Sequence, residues 1–415
     1  MLFIGIAMLV IGHQTWLRVR GWQFNVLSPY FMCDLIIFAL IGLGSLVAPL
    51  SHQDFIEELL FCLYVWSGLM AYYLGLHLRL PLPRLSCGMP KLKRSRRCAG
   101  LRAMLHTTIL TGGFVFMVIL TLFGRARSLK LDLREMMVLS PLQIHSLVTA
   151  EGVGALPIAV IYLLTVLLLM HMYQVLRQRD FISAFWIYLL INFSYFLISS
   201  TRVPLIMNLV IPIAYYHYAI RRINKLLLAG IILGAPIVLT LLHGFRGGYN
   251  LFAFKVSYIL ISETGVLRSF HHLWQEYISG NLALEYGLNY YYFFLTFIPK
   301  DVWKTKPLTS FEARWTVNLY GSLLKDGQVW ISTFTPWGEG LAQFGLVGGI
   351  INLFIYGLIL KAAIRFFNRR PHACLVYFFY SILSATYIRT SVQSLLFTTV
   401  LYIIGVWLYE RWFMS

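Results

Sequence analysis

Apolar stretches, each close to the length that crosses a bilayer, recur along most of this chain. That recurrence excludes nearly every fold that must face water on all sides. A helix crosses about 30 Å of hydrocarbon with roughly 20 residues. By that measure, spans are predicted near 1–17, 26–50, 55–78, 103–124, 155–176, 181–200, 204–220, 226–243, 341–361, 372–388 and 391–410, about eleven in all. Only 12% of the residues are charged, against about 25% in a soluble protein. So large an apolar excess has no place to hide inside a soluble domain, because surface must face something. The runs are continuous rather than alternating, which argues against a β-barrel. The expected class is an all-α polytopic membrane protein with about eleven transmembrane helices.

Charge then orients the spans. The net charge of +18 is the excess that Lys and Arg build up on cytoplasmic turns, and no nucleic-acid signature accompanies it. The basic stretch 79–102 holds Arg84, Lys91, Lys93, Arg94, Arg96 and Arg97 and reads as a cytoplasmic loop. Alternating outwards from it puts 20 of the 34 basic residues inside, with only three of the 16 acids, Asp34, Asp180 and Glu410. The outer side keeps the other 14 basic and 13 acidic residues. The predicted organisation is therefore a transmembrane bundle over 1–242, a large outer loop over 243–340, and C-terminal transmembrane helices over 341–415. Met1 to Leu17 lacks a basic n-region and a small-residue cleavage site, and reads as a first span. The five cysteines show no CxxC spacing, so neither a zinc site nor a disulfide framework is indicated.

The outer loop gathers the charges that the spans exclude. Its apolar pieces, Leu251 to Ile261 and Tyr286 to Ile298, are too short to span comfortably and read as interfacial or re-entrant helices. Three constellations carry its chemistry. In His243-Gly-Phe-Arg246-Gly-Gly-Tyr249, glycines allow close backbone approach and Arg246 offers a fork for phosphate. An interfacial turn with a snorkelling Arg accounts for the same residues. In Arg268-Ser-Phe-His271-His272-Leu-Trp-Gln-Glu276, helical spacing puts Arg268, one of the two histidines and Glu276 on roughly one face. Cation, imidazole and carboxylate together suit phosphate binding and proton transfer; an amphipathic helix with i,i+4 pairs is the plainer account. A zinc site is not expected, because adjacent histidines point about 100° apart on a helix and HExxH is missing.

The third constellation is Pro299-Lys-Asp-Val-Trp-Lys-Thr-Lys306-Pro307, followed by Thr335-Pro-Trp-Gly-Glu339-Gly-Leu-Ala-Gln-Phe-Gly345. Glu339 is placed at the mouth of the next span, where its charge needs water or a partner; stabilisation of a helix N-terminus is the plain alternative. Outside the loop, the short turn Ser199-Ser-Thr-Arg202-Val-Pro204 holds Arg202 between two spans on the same outer face.

The motifs around Arg202, Pro299 to Pro307 and Thr335 to Gly349, with one dominant outer loop late in the chain, resemble bacterial O-antigen polymerases, the Wzy-type polymerases of oligosaccharide repeat units. The resemblance covers roughly residues 202–357. It implies a GT-C-like fold in the bacterial inner membrane with the active site facing the periplasm. It further implies a donor and an acceptor glycan, both linked to undecaprenyl diphosphate, with membrane lipid around them and room for a chain-length regulator as partner. No cofactor or metal is expected, and the reaction is an inverting glycosyl transfer. On that chemistry, Arg202, Arg246, Arg268 and Arg314 are the candidates for binding the diphosphate. Glu276, Glu339, His271 and His272 are the candidates for the general base. An O-antigen ligase and a flippase of lipid-linked oligosaccharides are the competing readings. A flippase should show inverted repeats or charges distributed through its spans, whereas the charges here cluster outside them.

Overall fold

The computed structural model describes residues 29–37, 55–78, 99–129, 155–178, 180–199, 256–295, 311–321 and 332–413, with 298, 303, 305–307, 324–325 and 328–329 between them. Eleven α-helices occupy these stretches. They are α1 (Pro29–Ile37), α2 (Phe55–His77), α3 (Ala99–Leu129), α4 (Ala155–Arg177), α5 (Phe181–Ser199) and α6 (Val256–Ile278), then α7 (Leu288–Leu295), α8 (Phe311–Tyr320), α9 (Thr335–Asn368), α10 (Cys374–Tyr387) and α11 (Val392–Phe413). A two-residue antiparallel pair, Leu324–Lys325 with Gln328–Val329, follows α8.

The plan of about eleven transmembrane helices, GT-C-like, is corrected here. Among the described residues only four helices are long and apolar enough to cross a membrane: Ile56–His77, Ala159–Arg177, Thr335–Asn368 and Val392–Trp412. In the runs expected near 103–124, 181–200 and 372–388, the described residues carry the shorter apolar stretches Thr107–Phe123, Phe181–Asn192 and Cys374–Tyr387. Of the run expected near 26–50 only α1 is described, and those near 1–17, 204–220 and 226–243 lie outside the described residues. The all-α character holds.

Local chemistry sets the helix ends. Glu57 and Glu58 lie in the first turn of α2 and Arg177 in the last turn of α4, each favourable to the helix dipole. Asp180 caps α5, accepting from the Ser183 amide at 3.1 Å and from its hydroxyl at 2.6 Å.

Packing fixes the relative directions. Gly68 of α2 sits against Trp337 and Leu353, and Gly75 against the Phe354 carbonyl and Gly357, so α2 runs parallel to the later part of α9. Lys361 Nζ donates to the Leu78 carbonyl where α2 ends. Gly405 of α11 lies on Val166 and Leu163 of α4, and His171 Nδ1 is 3.3 Å from the Tyr409 hydroxyl, so these two helices are parallel as well. Tyr380 pairs with Thr399 at 2.8 Å and Thr398 with Tyr387 at 2.9 Å, which makes α10 and α11 antiparallel. Between α9 and α11, contact runs from Glu339 with Val392 to Arg370 with Glu410. The ends bearing His77, Arg177, Arg365 and Arg411 therefore lie together, and the start of α11 at Val392 lies away from them, beside Glu339.

Candidate functional site

The site is built on a fold-back in α9. Phe344 (φ −139°, ψ 20°) and Gly345 (φ 67°, ψ −152°) leave helical geometry and split it into a first arm, 335–343, and a second arm, 346–368. Gly345 takes a left-handed conformation that a side chain would resist. The two arms then lie antiparallel. Gly340 meets the Gly348 carbonyl and Gly349 with no room for a Cβ, and Asn352 Nδ2 donates to the Pro336 carbonyl at 3.4 Å. This re-entrant hairpin carries Glu339 inwards, beside the second arm rather than at its mouth.

Glu339 is completely buried, and its carboxylate is met by N–H donors from three elements. Asn289 Nδ2 of α7 donates at 2.7 Å, the Val392 amide opening α11 at 2.8 Å, and Asn352 Nδ2 of the second arm at 3.4 Å. A buried carboxylate is tolerable only when its lone pairs are satisfied in this way. Asn289 is the hub: its Oδ1 accepts from Arg314 Nη2 at 3.3 Å, and its amide donates to Gln343 Oε1 at 3.2 Å. Gln343 Oε1 also takes the Gly287 amide at 3.1 Å, while Gln343 Nε2 donates to Glu285 Oε2. Arg314 of α8 grips Glu285 through Nη2 at 2.9 Å and Nε at 3.3 Å and lies 4.6 Å above the Tyr292 ring. Tyr290 donates to Asn352 Oδ1 at 2.6 Å, and its hydroxyl is pushed upwards in pKa by burial and by the Glu339 charge. The backbone joins in, the Glu285 and Tyr286 amides donating to the Ala342 and Gln343 carbonyls at 2.9 Å each. The stretch from Glu285 to Arg314 and the hairpin are thus bolted together through these contacts.

Helix α6 presents a second, more open arrangement. Phe270 and Leu273 pack on Gly338 of the first arm, and Trp274 stacks on Tyr64 of α2 at 5.1 Å. His271 faces the same way, buried edge-on against Phe61 at 5.0 Å. Desolvation first, and then the neighbouring His272, lower its pKa to about 4, so it is neutral at ordinary pH, and its Nε2 has no hydrogen-bond partner among the described residues. Arg268, His272 and Glu276 lie on successive turns of the opposite face. Arg268 is exposed, and His272 Nε2 lies 3.6 Å from Glu276 Oε1 with side chains 35% and 33% exposed. These exposures separate the adjacent histidines: among the described residues His271 is buried and His272 is open.

The structure thus brings Arg268, His272 and Glu276 together on α6, and Glu339 with Arg314 through Asn289. It turns His271 into the packing between α6 and α2. Arg202 and Arg246 lie outside the described residues, as do Lys300, Asp301 and Lys304. Lys306 donates to the Ile298 carbonyl at 2.8 Å, and burial lowers its pKa. Asn289, Glu285, Gln343 and Asn352 are the members that sequence reasoning missed. Gln343 and Asn352 did leave a signal, since an amide inside an apolar run needs a partner at that depth. Among the described residues no three His, Cys, Asp or Glu side chains come together as a metal site would require. Comparison of the chain with protein-family models, with curated proteins and with solved structures found no match.

Proposed function

We propose that this chain is a membrane glycosyltransferase that polymerises oligosaccharide repeat units linked to undecaprenyl diphosphate, on the periplasmic face of a bacterial inner membrane. The observation that carries the reading is the stripe of Arg268, His272 and Glu276 on the open face of α6. Glycosyl transfer to a sugar hydroxyl needs a base for the hydroxyl proton and positive charge for the departing diphosphate. In this reading Nδ1 of His272 takes the proton as the acceptor oxygen attacks the anomeric carbon. Glu276, beside Nε2, steadies the imidazolium that forms. The bond from the anomeric carbon to the phosphate oxygen breaks, and undecaprenyl diphosphate leaves with the electron pair towards Arg268. Arg202 and Arg246 are the further candidates for that charge.

Glu339 and Arg314 take a different part. The carboxylate of Glu339 is saturated with donors and closed to solvent, and Arg314 is committed to Glu285 and Asn289. Both hold the scaffold on which the α6 stripe is presented.

The test is to give purified protein lipid-linked repeat units in detergent and to follow glycan length. Elongated lipid-linked glycan is expected, with Arg268→Ala and His272→Ala each reducing the rate by about 100-fold, the scale of losing one positioned acid–base or charge-stabilising group. Arg268→Lys restores only part of the rate, because Lys lacks the planar fork. Movement of the glycan across liposomes without new bonds, or transfer to a lipid core alone, overturns the polymerase reading.

A further inference from the structure

We infer that Tyr320 is a positioning residue that fixes the imidazole of His272 from the far side of the site, an inference that rests on the role given to His272 above. His272 is a third exposed, and an imidazole so placed on a helix surface ordinarily samples several rotamers. Here it is held from two directions. Glu276 lies one turn along on the same helix, 3.6 Å from Nε2. The Tyr320 ring, brought by α8, lies against the imidazole at 5.3 Å between centroids with 54° between the planes.

The placement of Tyr320 is not incidental to α8. The helix ends on this residue because Gly321 takes a left-handed φ of 73°, while its amide still donates to the Val317 carbonyl at 2.8 Å, a glycine cap. The body of α8 is anchored by Arg314 on Glu285 and Asn289 and by the Ser332 amide on Thr316 Oγ1 at 2.9 Å. A rigid helix tied to the buried polar network therefore carries one aromatic ring to the proposed base. Through that ring the hairpin and the open face of α6 are in mechanical contact. Misplacing a catalytic group by about 1 Å costs on the order of 100-fold in rate, so the ring that lies against the imidazole is expected to matter.

Three variants, Tyr320→Ala, Tyr320→Leu and Tyr320→Phe, are compared with the parent by two measurements. The first is the rate at which diethyl pyrocarbonate modifies His272, read by mass spectrometry and independent of any activity. The second is elongation of lipid-linked glycan. Removing the ring is expected to raise the modification rate of His272 several-fold in the Ala and Leu variants. The same variants lose about 10-fold or more in kcat with KM for the lipid-linked substrate unchanged, while the Phe variant matches the parent in both. An unchanged modification rate in the Ala and Leu variants overturns the inference, as does a Phe variant as impaired as the Ala one. A parent protein that makes no polymer, with the expected modification pattern intact, overturns the reaction assigned to the site and leaves the positioning contact standing.

Discussion

Two adjacent histidines on α6 show how much a single residue's surroundings decide. His271 and His272 differ by one step of the helix, yet one is buried beside Phe61 and the other faces out beside Glu276. The helical spacing of Arg268 and Glu276 is legible in the sequence; the choice of histidine is not, because it depends on an aromatic ring of α2 some two hundred positions away in the chain. The burial of His271 has a consequence in pH. Its pKa is lowered from 6.5 to about 4, so the unfolded chain binds a proton more readily than the folded one, and folding is favoured as pH rises. Above pH 6.5 both states are neutral at this position and no penalty arises. As pH falls from 6.5 towards 4 the folded state loses on the order of 3 kcal/mol at this site, and below that the loss levels off. His271→Phe keeps an aromatic ring against Phe61 and removes the titration. The melting temperature in detergent is expected to fall less between pH 7 and pH 4 in this variant than in the parent; parallel curves would refute the assignment.

At the scale of elements, the hairpin of α9 is the feature least visible beforehand. The sequence places Glu339 at the mouth of a span over 341–361, with no hint of a turn inside it. What the sequence lacks is the pairing, because Asn289 lies 50 positions from Glu339 and the Val392 amide 53. Close approach of the two arms depends on missing side chains. A Cβ on Gly340 would meet the backbone of Gly348 and Gly349, atoms that move only if an arm moves. Gly112 of α3, by contrast, has no described atom within 4 Å of a built Cβ. Gly340→Ala should destabilise by at least about 1–3 kcal/mol through overpacking. Gly112→Ala should be neutral or gain up to about 1 kcal/mol from helix propensity. Thermal unfolding followed by size-exclusion chromatography ranks the two; equal stability would show that the arms do not pack as closely as described.

For the whole molecule, hydropathy delivered the all-α class and located the four long apolar helices, while predicting about eleven spans where the described residues hold four helices long and apolar enough to cross. Directions are the firmer part. The parallel pairs α2 with α9 and α4 with α11 bring their basic ends together, as the charge pattern requires. Asn281, next to the hairpin turn, and Arg369, at the far end of α9, are both exposed and sit at opposite ends of the bundle. In a background without native cysteines, Asn281→Cys and Arg369→Cys should react with a membrane-impermeant maleimide from opposite sides of oriented vesicles. Reaction of both from the same side would refute the arrangement.

The donors around Glu339 also make its satisfaction a property of several separate stretches of the chain. One comes from α7, one from the second arm of α9 and one from the first amide of α11. A copy cut short before Val392 lacks the last of them, so the polar balance of the hairpin depends on a helix that lies beyond it in the chain.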